Sequence, residues 1–358
     1  MILTFFQEGI RRYKAAMTGQ PDRVPVFAQM HEFVLSELKI SPRKFYATPD
    51  LLVKGSLEIM EAYGIDMPVL DYDVYNIEAE ALGQEIIHTD TGMPDVDRTK
   101  PLIRDRSDLK KIRTPDFEKD GRFSAVLEMN RLFREMTGGM EETSGFCAPF
   151  SLAANIRGIE QLLMDMYIDP EFARELFDRV TEEVLIPWIL RLKAECPGAT
   201  GICGNDASAS LPIVNPDILR NWIVPYVKRL REQCGPEVYV PNWVGESYLK
   251  KPEEMLELKR MACPGFVEGQ DPDVEALGPA FYKSYANKKG VPLVLGVGAA
   301  FLALGSTSEI RDRVRQYIEV GGEGGRFALY LCNLGATTPP ENIRAAIQAV
   351  RDYGQYSL

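Results

Sequence analysis

The fold is decided by the stretch Phe327-Ala328-Leu329-Tyr330-Leu331-Cys332, a short apolar run that ends in a soft thiol. The segment Thr337-Thr338-Pro339-Pro340-Glu341-Asn342 follows it and has the features of a helix start. A buried strand that runs into a loop and then a helix is the repeating unit of a parallel α/β barrel. Such a barrel keeps its chemistry at the carboxyl ends of its strands, where Cys332 is predicted to lie.

Earlier parts of the chain contain seven more short apolar runs, each of which ends in polar or glycine-rich residues. The runs are Val24–Gln29, Met67–Tyr72, Gly145–Ala148, Gly201–Asn205, Val238–Trp243, Gly265–Glu268 and Pro292–Val297. Helical stretches separate them, so the eight runs predict an α/β fold, a (β/α)8 TIM barrel that the whole chain 1–358 forms as a single domain. The chain exceeds a typical barrel by about 100 residues, an excess that insertions commonly supply.

Two segments account for the extra length. An amphipathic helix over 5–17 is predicted to pack on the bottom of the barrel, and an irregular insertion is predicted between Gly83 and Phe123, where prolines and charged residues interrupt any helical period. Further helices are predicted over 50–63, 151–166 and 169–195. The last of these begins at Asp169-Pro170-Glu171, which is a helix cap followed by proline in the first turn.

Composition narrows the class of protein. The net charge is −11, and no block of basic residues is present, which argues against a nucleic-acid partner. No stretch approaches the roughly 20 apolar residues of a membrane span, and the N-terminus lacks a secretory leader, so we expect a soluble cytoplasmic protein with no membrane partner. The six cysteines include no C-x-x-C pair, so we expect them to be reduced rather than paired in a disulfide scaffold.

Five local strings together resemble the uroporphyrinogen decarboxylase superfamily, which includes the decarboxylase itself and the zinc-dependent cobalamin methyltransferases. They are Pro21-Asp22-Arg23-Val24-Pro25-Val26, Glu78-Ala79-Glu80-Ala81-Leu82-Gly83, Ala148-Pro149-Phe150-Ser151-Leu152-Ala153, Asn215-Pro216-Asp217 with Pro225-Tyr226, and Thr338-Pro339-Pro340-Glu341-Asn342. Their order spans nearly the whole chain, and the resemblance implies the same barrel that the strand count predicts. It does not fix the function, because one fold supports many activities.

The decarboxylase branch requires arginines after the first strand to grip the carboxylates of its porphyrin substrate. Here Met30 and Val34 stand where the family's arginines would fall, and Glu32 adds the wrong charge. We therefore expect that uroporphyrinogen is not the substrate. Asp73 lies near the position of the family's catalytic aspartate, so a decarboxylase-like enzyme that uses Asp73 on another ligand is the alternative function.

The methyltransferase branch, by the same resemblance, carries zinc and moves a methyl group to or from a corrinoid (cobalamin) held by a partner protein. Its H-x-C-G signature after the fifth strand is replaced here by Asn242 and Val244, and only Cys332, at the end of the eighth strand, carries over. The resemblance implies a corrinoid-linked methyltransferase that takes a small O-, N- or S-methyl donor, O-demethylation included. A non-catalytic ligand-binding barrel is the remaining alternative.

Two kinds of site are open to this chemistry. In the first, which we favour, Cys332 binds zinc with other strand-end donors, of which Glu246 and Cys203 are the leading candidates and Asp206, Glu268 and His31 the others. In the second, no metal is bound. Asp206 and Asn242 hydrogen-bond a polar ligand there, over an aromatic floor of Tyr72, Phe150 and Trp243. We predict Asp73, Asn242 and Asp206 as catalytic residues and His31, Tyr72, Phe150 and Trp243 as substrate-binding residues.

Overall fold

The computed structural model describes residues 2–139 and 145–356. Its strands are β1 (Val26–Ala28), β2 (Ile86–Ile87), β3 (Asp95–Val96), β4 (Phe146–Cys147), β5 (Ile202–Asn205), β6 (Val238–Tyr239), β7 (Val267–Gln270), β8 (Leu293–Val297) and β9 (Phe327–Leu331). The helices are α1 (Ile2–Thr18), α2 (His31–Leu38), α3 (Pro42–Tyr46), α4 (Pro49–Tyr63), α5 (Ile77–Ala81), α6 (Phe123–Thr137), α7 (Pro149–Arg157), α8 (Ile159–Ile168), α9 (Pro170–Arg179), α10 (Ile186–Glu195), α11 (Pro216–Ile218), α12 (Val224–Cys234), α13 (Glu253–Ala262), α14 (Asp273–Leu277), α15 (Pro279–Lys289), α16 (Ala299–Leu304), α17 (Thr307–Gly321) and α18 (Pro340–Tyr353).

The protein is a (β/α)8 barrel, and the predicted apolar runs form its parallel strands. Strands pair in parallel in the orders β1-β9-β8-β7 and β4-β5-β6. The second predicted run joins β1 through one parallel bridge, between Met67 and Phe27. Because β8 and β9 are buried along their whole lengths, both faces of these strands are apolar, as expected where helices cover the outside of a parallel sheet.

Proline interrupts the barrel ladder at two seams. Among the described residues, no strand pairing joins the second run to β4 or β6 to β7. Pro68 and Pro241 stand in the affected runs and have no N–H to donate to a neighbouring strand. Side chains bridge the first seam, where the hydroxyl of Tyr72 donates to the carbonyl of Gly145 at 2.7 Å.

The N-terminal helix lies at the bottom of the barrel, as predicted. Arg12 of α1 donates to Asp66 at 2.7 Å, and Arg23 donates to the same buried carboxylate. Asp66 directly precedes the second strand run, so this cluster fixes α1 beneath the amino ends of the strands. The aromatic ring of Tyr13 then reaches Phe27 inside the barrel, with 5.9 Å between ring centroids.

The predicted helices form, with one correction. The predicted helix over 169–195 consists of α9, a π-helical stretch over 180–185 and α10, which follow one another without a break. α4 ends at Gly64, whose φ of 79° is the left-handed conformation that glycine adopts readily, and Asp169 caps α9 by accepting from the Phe172 N–H. The prediction of one helix over 151–166 was wrong. The chain turns at Gly158, with φ of 86°, and divides this segment into α7 and α8.

The insertion between 83 and 123 contains the antiparallel pair β2–β3 and a short 3-10 helix, Arg106–Lys111. Arg122 lies at the end of the insertion and connects it to the barrel by a bidentate contact with Asp73, with N–O distances of 2.6 and 2.9 Å. In the ranges 2–139 and 145–356, no helix has both the length and the apolar character needed to cross a bilayer.

Candidate active site

A cavity of about 160 Å³ lies inside the barrel. Alternation along the strands determines which side chains reach it, because successive residues of a strand point to opposite faces. β1 contributes Phe27 and the run beyond it Gln29, while β7 contributes Glu268 and Gln270. These two strands therefore present alternate residues to the cavity, whereas the second strand run contributes consecutive residues, among them Leu70, Asp71 and Tyr72.

The cavity wall has two kinds of surface. Seven aromatic rings form most of the apolar part: Tyr13, Phe27, Tyr72, Phe133, Tyr239, Phe266 and Tyr330. The polar part consists of carboxylates, amides and one thiol: Gln29, Asp71, Cys203, Asn205, Asn242, Glu268 and Gln270. Of the described residues that line the cavity, none is lysine, arginine or histidine.

The aromatic rings are held by one another. Phe27 stacks on Tyr330, with centroids 4.7 Å apart and an angle of 7° between planes. Phe266 meets Tyr239 edge to face at 5.8 Å. The hydroxyl of Tyr330 donates to Gln29 Oε1, which ties the rings to the polar wall. Rings packed in this way lose little further conformational entropy when a ligand binds.

His31 and Asp71 form an ion pair where the first and second strand runs end. His31 Nδ1 lies 2.9 Å from Asp71 Oδ2, and Nε2 lies 3.0 Å from Asn333 Oδ1. Burial opposes the charge of His31, but Asp71 outweighs burial and raises the pKa of the imidazole to about 9. His31 is thus held as a cation with both ring nitrogens engaged, which makes it a poor metal donor. Asp71, and not His31, lines the cavity.

The predicted catalytic Asp73 lies outside the cavity lining. Its carboxylate is buried and receives both guanidinium N–H groups of Arg122. Burial raises the pKa of Asp73 and Arg122 opposes the rise. The structure gives Asp73 a clear role in anchoring the insertion, and Asp71, two residues earlier, is the aspartate that faces the cavity.

Asp206 lies outside the cavity lining and hydrogen-bonds Trp243 of the fifth strand run. Its Oδ1 accepts the Ser151 N–H at the start of α7 at 2.9 Å, and its Oδ2 accepts Nε1–H of Trp243 at 3.1 Å. Burial raises the pKa of Asp206 to about 6. Of this group only Asn242 lines the cavity, where its amide donates to the Tyr75 hydroxyl and accepts the backbone N–H of Asp206.

Two of the predicted aromatic residues also belong to the packing around the site. Trp243 is fully buried and held by Asp206, and Phe150 is fully buried and stacks on Phe177 with centroids 6.2 Å apart. Neither reaches the cavity. Tyr72 does line it, close to Asp71.

Cys332 lies over Gly296 on the neighbouring strand. A β-carbon at Gly296 would be 2.5 Å from Cys332 Sγ, so the sulfur occupies the space that a side chain would take. Burial raises the pKa of the Cys332 thiol well above its usual value, and Cys332 does not line the cavity. The Cys332 sulfur therefore packs between strands in this structure.

Glu246 takes part in a separate buried network. Its Oε1 accepts from Lys259 Nζ at 2.7 Å, and the same ammonium donates to the backbone carbonyl of Glu268 at 2.6 Å. Burial raises the pKa of Glu246 to about 7. Glu246 therefore lies behind the cavity wall, while the Glu268 side chain faces the cavity and accepts from Gln270 at 2.6 Å.

The predicted zinc ligands are not brought together. Cys203 lines the cavity, Cys332 is covered by Gly296, and Glu246 is paired with Lys259. Within residues 2–139 and 145–356, no three His, Cys, Asp or Glu side chains lie close enough to hold one metal ion. The described residues as arranged do not supply the three or four donors of a zinc site.

The sequence profile of the uroporphyrinogen decarboxylase (URO-D) family matches residues 10–353. The chain belongs to this family. It is 25% identical over 349 residues to a methylated-thiol–coenzyme M methyltransferase of Methanosarcina mazei, an alignment that covers 96% of the chain and 88% of the relative. It is 24% identical over 370 residues to a uroporphyrinogen decarboxylase of Anaeromyxobacter dehalogenans, covering 96% and 99%. Both relatives are enzymes.

A solved structure supports the fold independently. A methyltransferase from Methanosarcina mazei superposes with a TM-score of 0.76 at 21% sequence identity, over 96% of this chain and 98% of that one. At this identity the likeness establishes the URO-D barrel fold. The fold alone does not distinguish the reactions of the family, which depend on the residues of the cavity.

Sequence reasoning missed the cavity carboxylates as a pair. The sequence pattern pointed to Asp73 as the aspartate of the second run and to Glu268 as one of several possible metal donors. Strand parity is a signal for Glu268, because Glu268 and Gln270 alternate on one strand as Phe27 and Gln29 do in the first run. Parity does not separate Asp71 from Asp73, which are two residues apart, and the contact of Asp73 with Arg122 is long-range.

Proposed function

We propose that this protein is a methyltransferase that moves a methyl group between a small methyl donor and a corrinoid held by a partner protein. The observation that supports this most directly is the cavity, which has a volume of about 160 Å³ and no basic side chain among the described residues that line it. An apolar cavity of about 150 Å³ holds a molecule the size of benzene. The cavity therefore suits a small donor.

The same features argue against the decarboxylase alternative. A porphyrin with many carboxylates needs several cationic groups and a much larger space. Met30 and Val34, at the positions where arginine would be expected, are both buried and apolar. Asp73 is engaged by Arg122. The name of the Methanosarcina relative, a methyltransferase, supports methyl transfer as the family activity of this chain.

The corrinoid supplies the electron pair that accepts the methyl group. A corrin ring exceeds the cavity, so it would lie over the barrel mouth while the donor lies within. The chain's own residues then bind the donor, exclude water and direct its methyl group outward. The aromatic rings and the amides of Asn242 and Gln270 are placed for these tasks. Positioning of this kind supplies much of the rate enhancement of a transfer reaction.

The test is methylation of free cob(I)alamin, as a stand-in for the protein-held corrinoid, followed by its visible absorption. We expect absorbance loss that depends on the protein and on a small methyl donor, and no carbon dioxide release from uroporphyrinogen. Turnover of uroporphyrinogen, or no methyl transfer from any O-, N- or S-methyl donor, would contradict the proposal. Ligand binding without transfer would favour the non-catalytic barrel.

Metal analysis tests whether Cys332 is a zinc ligand. If Cys332 is a packing residue, Cys332→Ser should leave the metal content of protein purified without chelator unchanged, and Cys147→Ser is the matched buried control. Loss of bound zinc in Cys332→Ser alone would restore Cys332 as a ligand.

A further inference from the structure

The cavity wall combines aromatic rings with two carboxylates. Asp71 and Glu268 are the ionisable carboxylates that line it, and no basic residue is among the described lining residues. An anionic ligand would meet repulsion from an ionised carboxylate there. A neutral ligand would leave an ionised Glu268 buried without an opposite charge, which costs free energy.

Glu268 lies on β7 and its side chain faces the cavity. It is 8% exposed, and no side-chain ion pair to its carboxylate occurs among the described residues; Lys259 contacts its backbone carbonyl instead. Burial raises the pKa of Glu268, and Lys259 partly opposes this rise. A cation in the cavity would stabilise the ionised carboxylate in the same way.

Asp71 is partly compensated from outside. Both contacts with His31, from the ring and from the backbone N–H, go to Oδ2, so Oδ1 takes no part in the pair. With His31 charged, the Asp71 pair is neutral. Glu246, behind the wall, has Lys259 as its partner, which leaves Glu268 as the lining carboxylate without a paired cation among the described residues.

The aromatic rings favour one class of cation over others. Phe27, Tyr330, Tyr239 and Phe266 are packed in fixed pairs around the same space that Glu268 faces. Aromatic faces attract quaternary ammonium and related cations, whose charge is spread over methyl groups that also gain from apolar burial. Aromatic rings with carboxylates are thus the complement of a methylated cation.

We propose that the methyl donor is a small onium cation, a quaternary ammonium or a sulfonium compound, bound by Glu268 and the aromatic rings. This inference rests on the proposed function and narrows its substrate class. In the transfer, the carbon–nitrogen or carbon–sulfur bond breaks and its electron pair stays on the heteroatom. The methyl carbon bonds to the electron pair supplied by the reduced corrinoid, and a neutral amine or sulfide leaves. No proton is required, because the leaving amine or sulfide departs as a neutral molecule.

Calorimetric titration of the unmodified protein tests the inference without any reaction. We expect choline, tetramethylammonium and trimethylsulfonium to bind at least about ten-fold more tightly than 3,3-dimethylbutan-1-ol, the neutral isostere of choline. The anion 3,3-dimethylbutanoate should bind more weakly still. Equal binding of choline and its isostere, or tighter binding of the anion, would overturn the proposal. The ratio of ammonium to sulfonium affinity identifies the preferred heteroatom within the class.

Two variants locate the charge. Glu268→Gln keeps the size and the contact with Gln270 and should weaken choline binding by about ten-fold while leaving the isostere unchanged. Glu128→Gln, an exposed residue of α6, is the matched control and should bind like the parent protein. An unchanged choline affinity in folded Glu268→Gln would reject Glu268 as the recognition group. If Glu268→Gln does not fold, the ligand series with the parent protein decides.

The two proposals fail in different ways. If methoxy or thioether donors are turned over with cob(I)alamin while onium cations do not bind, the donor class is wrong and the methyltransferase function stands. If onium cations bind tightly and no donor methylates cob(I)alamin, the cation site stands and the methyltransferase function is wrong.

Discussion

His31 Nδ1 lies 2.9 Å from Asp71 Oδ2, and the backbone N–H of His31 donates to the same oxygen at 3.0 Å. His31 also has a positive φ of 30°, an uncommon backbone conformation for this residue. The pair thus holds the turn from the first strand run into α2 and connects it to the second run. An ionised imidazole is part of how the barrel mouth is built.

Asp71→Asn should therefore lower the pKa of His31 from about 9, since it removes the largest contribution that opposes burial and leaves only the weaker ones from Asn333 and Glu32. The chain has 2 histidines, so NMR titration can follow each ring, and His31→Asn identifies the resonance. The raised pKa means that the pair stabilises the fold fully below about pH 6.5 and that this contribution is lost as pH rises through about 9. A His31 pKa that Asp71→Asn does not change would contradict the ion pair.

Glu78 predicts a second pH dependence. It is fully buried, its Oε1 accepts the Cys147 N–H, and its Oε2 has no hydrogen-bond partner among the described residues. Burial raises the pKa of Glu78 from 4.5 to about 8, so the folded state retains a proton that the unfolded state releases in this range. Stability should then fall as pH rises from about 4.5 to 8, and Glu78→Gln should remove this part of the loss in urea unfolding curves. Identical pH profiles for both proteins would show that Glu78 is ionised.

Arg122→Ala should destabilise the protein by about 3–5 kcal/mol, because it leaves the buried Asp73 carboxylate without its partner. Adding Asp73→Asn should recover part of that loss, since the uncompensated charge is then gone. Urea unfolding of both single variants and the double variant measures the coupling. Asp73→Asn alone should retain methyl transfer, whereas its loss in a stable, folded protein would return Asp73 to the catalytic machinery.

Gly296→Ala should cost about 1–3 kcal/mol, because its new methyl group would overlap the sulfur of Cys332. Removing the sulfur in the double variant Gly296→Ala/Cys332→Ala should make the combined loss smaller than the sum of the single losses. Thermal unfolding of the four proteins completes the cycle. Additive losses would mean that the sulfur is not what excludes a side chain at 296.

The barrel followed from the sequence because its strands are short apolar runs with polar ends, and both features are local. Which strand-end residues face the cavity is less local. Asp73 and Asp206 carry the right chemistry at the right ends of their runs, yet long-range partners, Arg122 and Trp243, engage their carboxylates. Asn242 and Cys203 were predicted at the site and do line the cavity. Helix 151–166 was predicted without a break because the conformation of Gly158 depends on packing rather than on periodicity.

The burial of the Cys332 sulfur against Gly296 gives the barrel an internal reporter of its own opening. Reagents that alkylate thiols cannot reach the sulfur while β8 and β9 remain together, since the residue is 2% exposed. Labelling must wait for the strands to separate, and its rate then reflects the population of the opened form when closing is fast. If donor binding stabilises the pairing of β8 with β9, Cys332 would be labelled more slowly when the donor is present. The ratio of the two labelling rates would then give the free energy that the donor contributes to this strand pairing.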